Sequence, residues 1–463
     1  MERQFLDRGL ERAPAARDAE IVVLNTCTVT EGADKDARSA IRRLQRINPG
    51  CQILVTGCYA QRAPHELAAL PGVTWVVGNS HKHQAAEIAT FSRSGNSAFV
   101  PLDHLAGSPD DRVVVGDIFA HTELMAAPVF EAANERTRPN LKVQDGCDNR
   151  CSFCVIPSVR GQSRSLALGR VISEVRTLVA AGYREVVISG INLGRWGRDL
   201  PVAEPRSSRE CEDSLQTGTN DQRLAHLIRS ILDQTSLEKL RISSVEPMDW
   251  SEELIELVAS SPRIAKHAHV PMQSGSDNVL RRMHRKYRPW HYREKILRIR
   301  SAMPHAAIGA DVMVGFPGES QSEFAETRRM IEELPFTYLH VFTYSARPGT
   351  PAALMSGQIP VREARRRNAV LREIASSKKQ NFMHSLIGTQ LEAITLQTGG
   401  ANFTEALTDN YLKIKIPGRH DANRWLTLLI DDVGGEMLLG TPVTQECIKG
   451  YGQIDLQPFA TLR

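Results

Sequence analysis

Three cysteines crowd into eight positions of this chain: Cys147, Cys151 and Cys154, in the run Gln144-Asp145-Gly146-Cys147-x3-Cys151-Ser152-Phe153-Cys154. Two thiols with two residues between them suit zinc, a redox dithiol or an iron–sulfur centre. The third thiol, four positions upstream, makes the count odd, so the site either borrows a fourth ligand or leaves one metal open. Three thiolates on three irons of a [4Fe–4S] cube leave the fourth iron free for a small chelating ligand. Zinc is the alternative.

A second pair of cysteines ends two apolar runs of strand type: Cys27 in Asn25-Thr26-Cys27 and Cys58 in Gly57-Cys58-Tyr59-Ala60-Gln61. Open α/β sheets build their sites at the carboxyl ends of parallel strands, and a buried apolar cysteine is the alternative for each. Cys51, at the other end of the run that leads to Cys58, reads as structural. Two glycine loops also follow apolar runs: Ser189-Gly190-Ile191-Asn192-Leu193-Gly194, and Asp311 to Glu319 with Gly315-Phe316-Pro317-Gly318. Glycine there permits close backbone approach to a ligand, although turns alone explain most such runs.

The chain has 463 residues, 41% apolar and 24% charged, which suits two to four globular domains of roughly 100 to 200 residues each. No uncharged apolar run approaches the roughly 18 residues of a membrane-spanning helix, and the first twenty residues lack an apolar signal core. Eight cysteines are too sparse for a disulfide scaffold, so reduced thiols and a cytoplasmic location are expected. The net charge of +4 names no partner. Its distribution says more: Arg281 to Arg300 carries nine Lys/Arg against Glu294, interleaved with Tyr287, Trp290 and Tyr292. Basic groups for phosphates beside aromatic faces for stacking suit single-stranded RNA, with Arg285, Lys286, Tyr287, Arg288 and Trp290 as candidate contacts. A solvated helix face is the alternative. From Asn381 onward acidic residues outnumber basic ones, nine to six, so RNA contact there would need local geometry.

The elements that must position these groups fall into three blocks. Residues 1–125 alternate apolar runs (20–24, 52–56, 73–77) with helical stretches (33–47, 63–70), the pattern of a parallel α/β sheet. Residues 135–375 repeat it six times, with strands expected near 141–144, 185–189, 239–243, 267–270, 307–314 and 338–342. That suits a partial (β/α) barrel with its functional loops after the strands. The polar stretch 197–222, with Cys211, reads as a surface insertion. Residues 383–463 change to short β runs near 390–396, 411–416, 426–431 and 450–453, a small all-β barrel.

Taken together, the motifs resemble the radical S-adenosylmethionine (SAM) methylthiotransferases over essentially the whole chain. The likeness is carried by Asn25-Thr-Cys27, Gly57-Cys58-Tyr-Ala-Gln, the Cys147/Cys151/Cys154 triad, Ile156-Pro-Ser-Val-Arg160-Gly, His269-Val-Pro-Met-Gln273-Ser-Gly-Ser-Asp277, Gly315-Phe-Pro-Gly-Glu319 and Tyr344-Ser-Ala-Arg347-Pro-Gly-Thr350-Pro. The resemblance implies a SAM-binding [4Fe–4S] cluster on the triad, with Phe153 near the adenine and Ser189, Gly190, Asn192, Gln273 and Gly315 around the cofactor. It also implies an auxiliary [4Fe–4S] cluster on Cys27, Cys58 and a third cysteine, a C-terminal TRAM domain, and an electron donor such as flavodoxin or ferredoxin. A monomer without membrane attachment is expected.

Within that family three substrates compete: isopentenyladenosine in tRNA, threonylcarbamoyladenosine in tRNA, and an aspartate of a ribosomal protein. The two N-terminal cysteine segments and Tyr344 to Pro351 are most similar to the threonylcarbamoyladenosine group. An RNA-binding iron–sulfur protein without catalysis is the non-enzyme alternative. In the family the earliest cysteine follows a first strand, whereas Met1 to Leu10 reads as the helix that should come after it; the expectation is a native start upstream of Met1.

Overall fold

The computed structural model describes residues 1–91, 112–120, 137–200 and 223–443. Within them the chain builds three β modules. The first is a parallel sheet of β1 (Ile21–Thr26), β2 (Gln52–Gly57), β3 (Val73–Val77) and β4 (Val113–Val114), in that order. Central β2 is buried along most of its length, whereas β1, at the sheet edge, is mostly half-buried and borders a cavity of about 890 Å³. The helix Glu31–Ile47 begins where Thr30 accepts a hydrogen bond from the Ala33 backbone N–H, and Ile41 and Ala37 seat it on the sheet. The helix expected over the first ten residues is shorter, Glu2–Leu6, and breaks at Gly9, whose φ of +77° is left-handed.

The second module has two three-stranded parallel sheets. One orders β5 (Asn140–Lys142), β8 (Glu185–Ser189) and β9 (Lys239–Ile242); the other β10 (His267–His269), β11 (Ala307–Val314) and β12 (Tyr338–Thr343). A bridge between Leu240 and Ile264 links them, and β5 and β12 do not pair, so the six strands curve into a barrel open along one side. Strand burial is nearly complete in β9, β10 and β11, as expected for parallel strands covered by helices on one face and closing on a lumen. Beside β5, β6 (Gln144–Asp145) and β7 (Arg164–Ser165) form a short antiparallel ribbon that brackets the cysteine loop.

The third module is a closed five-stranded barrel of β13 (Gln390–Gly400), β14 (Phe403–Thr408), β15 (Lys413–Pro417), β16 (Trp425–Gly434) and β17 (Met437–Pro442), ordered 13-14-15-17-16. Closure leaves no unpaired edge. The run expected at 450–453 lies outside the described residues, as do Cys211 and most of the 197–222 insertion. The small barrel is held to the large one by buried charge: Arg241 donates to the Asp409 and Thr408 carbonyls, and Lys239 donates to Glu392 at 2.7 Å. No helix among the described residues is long and apolar enough to cross a membrane.

Candidate metal and cofactor site

The cysteine loop leaves the ribbon strand β6 and runs into the helix Ile156–Arg160. Gly146, with φ +71°, turns the chain where a side chain would collide with the Gln162 carbonyl. The Cys147 N–H then donates to Gly161 O at 3.1 Å, while Asn149 N–H (3.4 Å) and Asn192 Nδ2 (3.8 Å) point at its sulfur. Arg285 Nη1 donates to Cys151 Sγ at 3.2 Å. Buried Ser152 clamps the loop: its N–H donates to Met283 O, its hydroxyl to Arg282 O at 2.7 Å, and its carbonyl accepts from Ala352 N–H. Phe153 packs edge-on against Phe316 at 6.4 Å, among Val279, Met313 and Ala352.

This cradle fits a thiolate-bound cluster with a small-molecule ligand. Burial pushes the Cys147 thiol up and Cys154 up to about 12, so both sulfurs are protonated until a metal displaces the proton. Among the residues expected around the cofactor, the buried acceptors Asn192 Oδ1 and Gln273 Oε1 lack hydrogen-bond partners. Gln273 is held at φ +61° by its backbone bonds to Asp311 O and from Met313 N–H. At Gly190 a side chain would lie 2.7 Å from Gln144 Oε1, the atom that accepts the Asn192 N–H, so glycine keeps this shelf open. Ser189 bonds instead to Asn140. The tightest neighbour of Gly315 is protein: a side chain there would strike Ala364 Cβ at 2.7 Å, so helix packing accounts for this glycine.

Cys27 and Cys58 do come together as neighbours. Thr26 and Gly57, the residues just before them, are register partners on adjacent parallel strands, which sets both thiols at one sheet end. Cys58 is buried and Cys27 exposed. Cys58 packs on Val155, Ile156 and Val159 of the helix that directly follows Cys154, and Asn79 Nδ2 reaches both Cys58 Sγ (3.5 Å) and Val159 O (2.9 Å). One five-residue helix therefore separates the two thiol sites. Cations surround the gap: Lys142 and Arg160 pair with Asp145 at 2.7 and 3.2 Å, and Lys82, bonded to Asn25 Oδ1, is lowered to about 8 by burial and by the charges of Arg160 and Lys142. Cys51 is buried and its thiol is pushed up by burial, consistent with a structural role.

The expected RNA contacts divide. Arg285 and Tyr287 are buried, Arg285 paired with Glu246 and Tyr287 donating to the Pro271 and Met272 carbonyls, so neither can meet a phosphate or a base. Alternation along the turn is the reason: 285 and 287 face the cysteine loop, while Lys286 and Trp290 face solvent and Arg288 is half-buried against Asp277. Sequence reasoning missed this clamp and also a buried ion cluster: Arg347 donates to Asp34 at 2.6 Å and to the Thr28 carbonyl, and Arg62 adds bonds to Asp34 and the Thr28 hydroxyl. The cluster ties the turn after Cys27 to the barrel. Arg347 lies in Tyr344 to Pro351, a segment that carried the family resemblance, the available signal.

Known proteins agree with this geometry. A family model described as Radical SAM superfamily matches residues 141–331, and one described as Uncharacterized protein family UPF0004 matches residues 1–78. Threonylcarbamoyladenosine tRNA methylthiotransferase MtaB of Aquifex aeolicus is 34% identical over 432 residues, 93% of this chain and 95% of the relative. The chain belongs to the radical SAM methylthiotransferase family. MtaB of Bacillus subtilis is 35% identical over 90% of this chain and 86% of its own. The tRNA-2-methylthio-N(6)-dimethylallyladenosine synthase of Saccharopolyspora erythraea is 33% identical over 86% of this chain and 75% of its own. In fold, the radical SAM methyltransferase TsrM of Kitasatospora setae superimposes with a TM-score of 0.53 at 16% identity, covering 76% of this chain and 68% of that one. Membership in the family implies a [4Fe–4S] cluster and SAM, which the triad cradle suits.

Proposed function

We propose that the protein modifies tRNA, converting N6-threonylcarbamoyladenosine beside the anticodon to its 2-methylthio form at C2. The observation that carries the chemistry is the stacking of Cys58 on the helix that leaves the Cys147–Cys154 loop, which sets two thiol sites on either side of one short helix. A cluster on Cys147, Cys151 and Cys154 supplies one-electron reducing power to open the sulfonium of SAM, the source of the radical. Cys27 and Cys58 would supply two thiolates of a second, sulfur-carrying cluster, and Lys82, Lys142 and Arg160, the last two also paired with Asp145, would offset its negative charge. Arg285 and Asn192 orient Cys151 and Cys147, and Gly190 leaves room for the small ligand.

The substrate assignment is supported by the names of relatives matched along nearly their full length. Electrons come from a flavodoxin or ferredoxin, and the chain works as a monomer. Mass spectrometry of tRNA nucleosides from cells lacking the protein tests the reading. Loss of 2-methylthio-threonylcarbamoyladenosine alone supports it. Loss of the methylthio-isopentenyl product with the threonylcarbamoyl one intact would assign the isopentenyl substrate, and loss of a ribosomal-protein mark would remove tRNA altogether.

A further inference from the structure

The open side of the six-stranded barrel holds a second feature, a cavity of about 830 Å³ between β5 and β12, roofed in part by Thr398 and Tyr411 of the small barrel. Its volume is in the range of small-ligand sites, roughly 300–1,000 Å³. Ser244 Oγ and His269 Nδ1 lie 2.5 Å apart there, and His269 Nε2, 3.5 Å from Asp311, has no hydrogen-bond partner although the residue is only 7% exposed. His340 opens into the space with ring contacts to His269 and Tyr338 at 5.7 and 5.3 Å; partial desolvation and the neighbouring His269 lower its pKa, and a neutral imidazole there can donate at one nitrogen and accept at the other. Arg138 and Arg241 share the buried carboxylate of Glu185, at 3.6 and 2.6 Å, so two guanidiniums stand against one carboxylate on this wall, with Asp311 also lining the cavity. The wall also continues to the cofactor shelf, because Asn140 is bonded to Ser189, the residue before Gly190.

We infer that this cavity receives the polar arm on N6 of the substrate adenosine, with His340 and Arg138 as specificity-determining contacts; the inference rests on the substrate reading above. On the adenine ring only N1 separates C2 from C6, which bears the N6 arm. With C2 turned toward the thiol sites, the arm extends to one side of them. A threonylcarbamoyl arm carries N–H donors, one carbonyl, a hydroxyl and a carboxylate. Asp311 and His340 meet the donors and acceptors, and the Arg138 wall meets the carboxylate. An isopentenyl arm offers no polar atom, and would leave these groups desolvated and unpaired.

The test measures binding of the reconstituted holoenzyme to one tRNA with and without the threonylcarbamoyl group. The wild type is expected to prefer the modified tRNA by at least about tenfold. His340→Ala and Arg138→Gln should each bring that ratio close to one, and His340→Gln should keep most of it. None of the three should change affinity for the unmodified tRNA or 5′-deoxyadenosine release without tRNA. An unchanged ratio in both His340→Ala and Arg138→Gln overturns the inference, as does a fall in SAM affinity, which would mean that the cavity serves the cofactor. Wild-type enzyme that shows no preference for the arm, yet methylthiolates isopentenyladenosine, overturns the substrate reading itself and this inference with it.

Discussion

The two thiol sites are built in opposite ways. Cys147, Cys151 and Cys154 come from one loop, pinned by bonds at Cys147, Ser152 and Cys154 within and beside the loop. Cys27 and Cys58 come from two strands and meet only because β1 and β2 pair in one register. At the loop sulfurs the donors are the Asn149 N–H, the Asn192 amide and Arg285, itself paired with Glu246; the strand ends face Lys82, Arg160 and Lys142. A local site stands on short-range contacts. An assembled one depends on the packing between its module and the barrel.

The largest effect separates the two sites by output. Replacing Cys147, Cys151 and Cys154 together with Ala should reduce reductive 5′-deoxyadenosine release to background while the thermal transition moves little, since the thiols sit in a loop and not in the core. Replacing Cys27 and Cys58 should do the converse, leaving that release intact and removing methylthiolated product. If the second pair of changes also abolishes 5′-deoxyadenosine, the sites are not independent and the contrast fails.

Next comes the tie between them. Arg347→Ala leaves buried Asp34 with Arg62 and the Thr28 hydroxyl as its remaining partners, a loss of about 2 kcal/mol, the range of a hydrogen bond to a charged group. Urea unfolding measures it. Product formation should fall more than 5′-deoxyadenosine release, because the turn after Cys27 is what loses its anchor. Equal losses of both activities would mean that the anchor supports the cysteine loop as well.

What could be read from the sequence follows the same division. The triad was legible because eight consecutive residues state it, and the parallel strands because buried strands are continuous apolar runs. Strand β14, Phe403–Thr408, was not anticipated: its sequence FTEALT has little apolar excess, and its place is set by pairing with β13 and β15. Composition groups Arg285 and Tyr287 with Lys286, Arg288 and Trp290 as candidate RNA contacts because it does not report which way alternate side chains turn. The Asp34–Arg347 pair spans 313 residues, a separation that no local pattern reaches.

A smaller change sharpens the view of the loop as preformed. Gly190→Ala puts a methyl against the Gln144 side chain and 3.1 Å from the Leu193 Cα, crowding worth about 1–2 kcal/mol. Because Gln144 Oε1 also holds the Asn192 N–H, the shelf should shift and SAM affinity should fall more than iron content. Equilibrium dialysis with SAM and iron analysis of the same sample check this; equal loss of both would show that the shelf and the cysteine loop form together.

The smallest effect concerns the outer face of the turn that clamps the loop. Lys286 is exposed and makes no ion pair among the described residues, unlike Arg288, which is 3.4 Å from Asp277. If Lys286 meets a phosphate, Lys286→Glu should lower tRNA affinity a few-fold and reduce the slope of log affinity against log salt by about 0.7–0.9, the counterion release of one contact. Arg285→Gln, on the buried inner face of the same turn, should leave that slope alone and instead impair SAM cleavage, because it removes the donor to Cys151 and the guanidinium that pairs with Glu246. Filter binding at several salt concentrations distinguishes the faces. A slope unchanged by Lys286→Glu would return the whole turn to the cysteine loop and leave RNA binding to other surfaces of the chain.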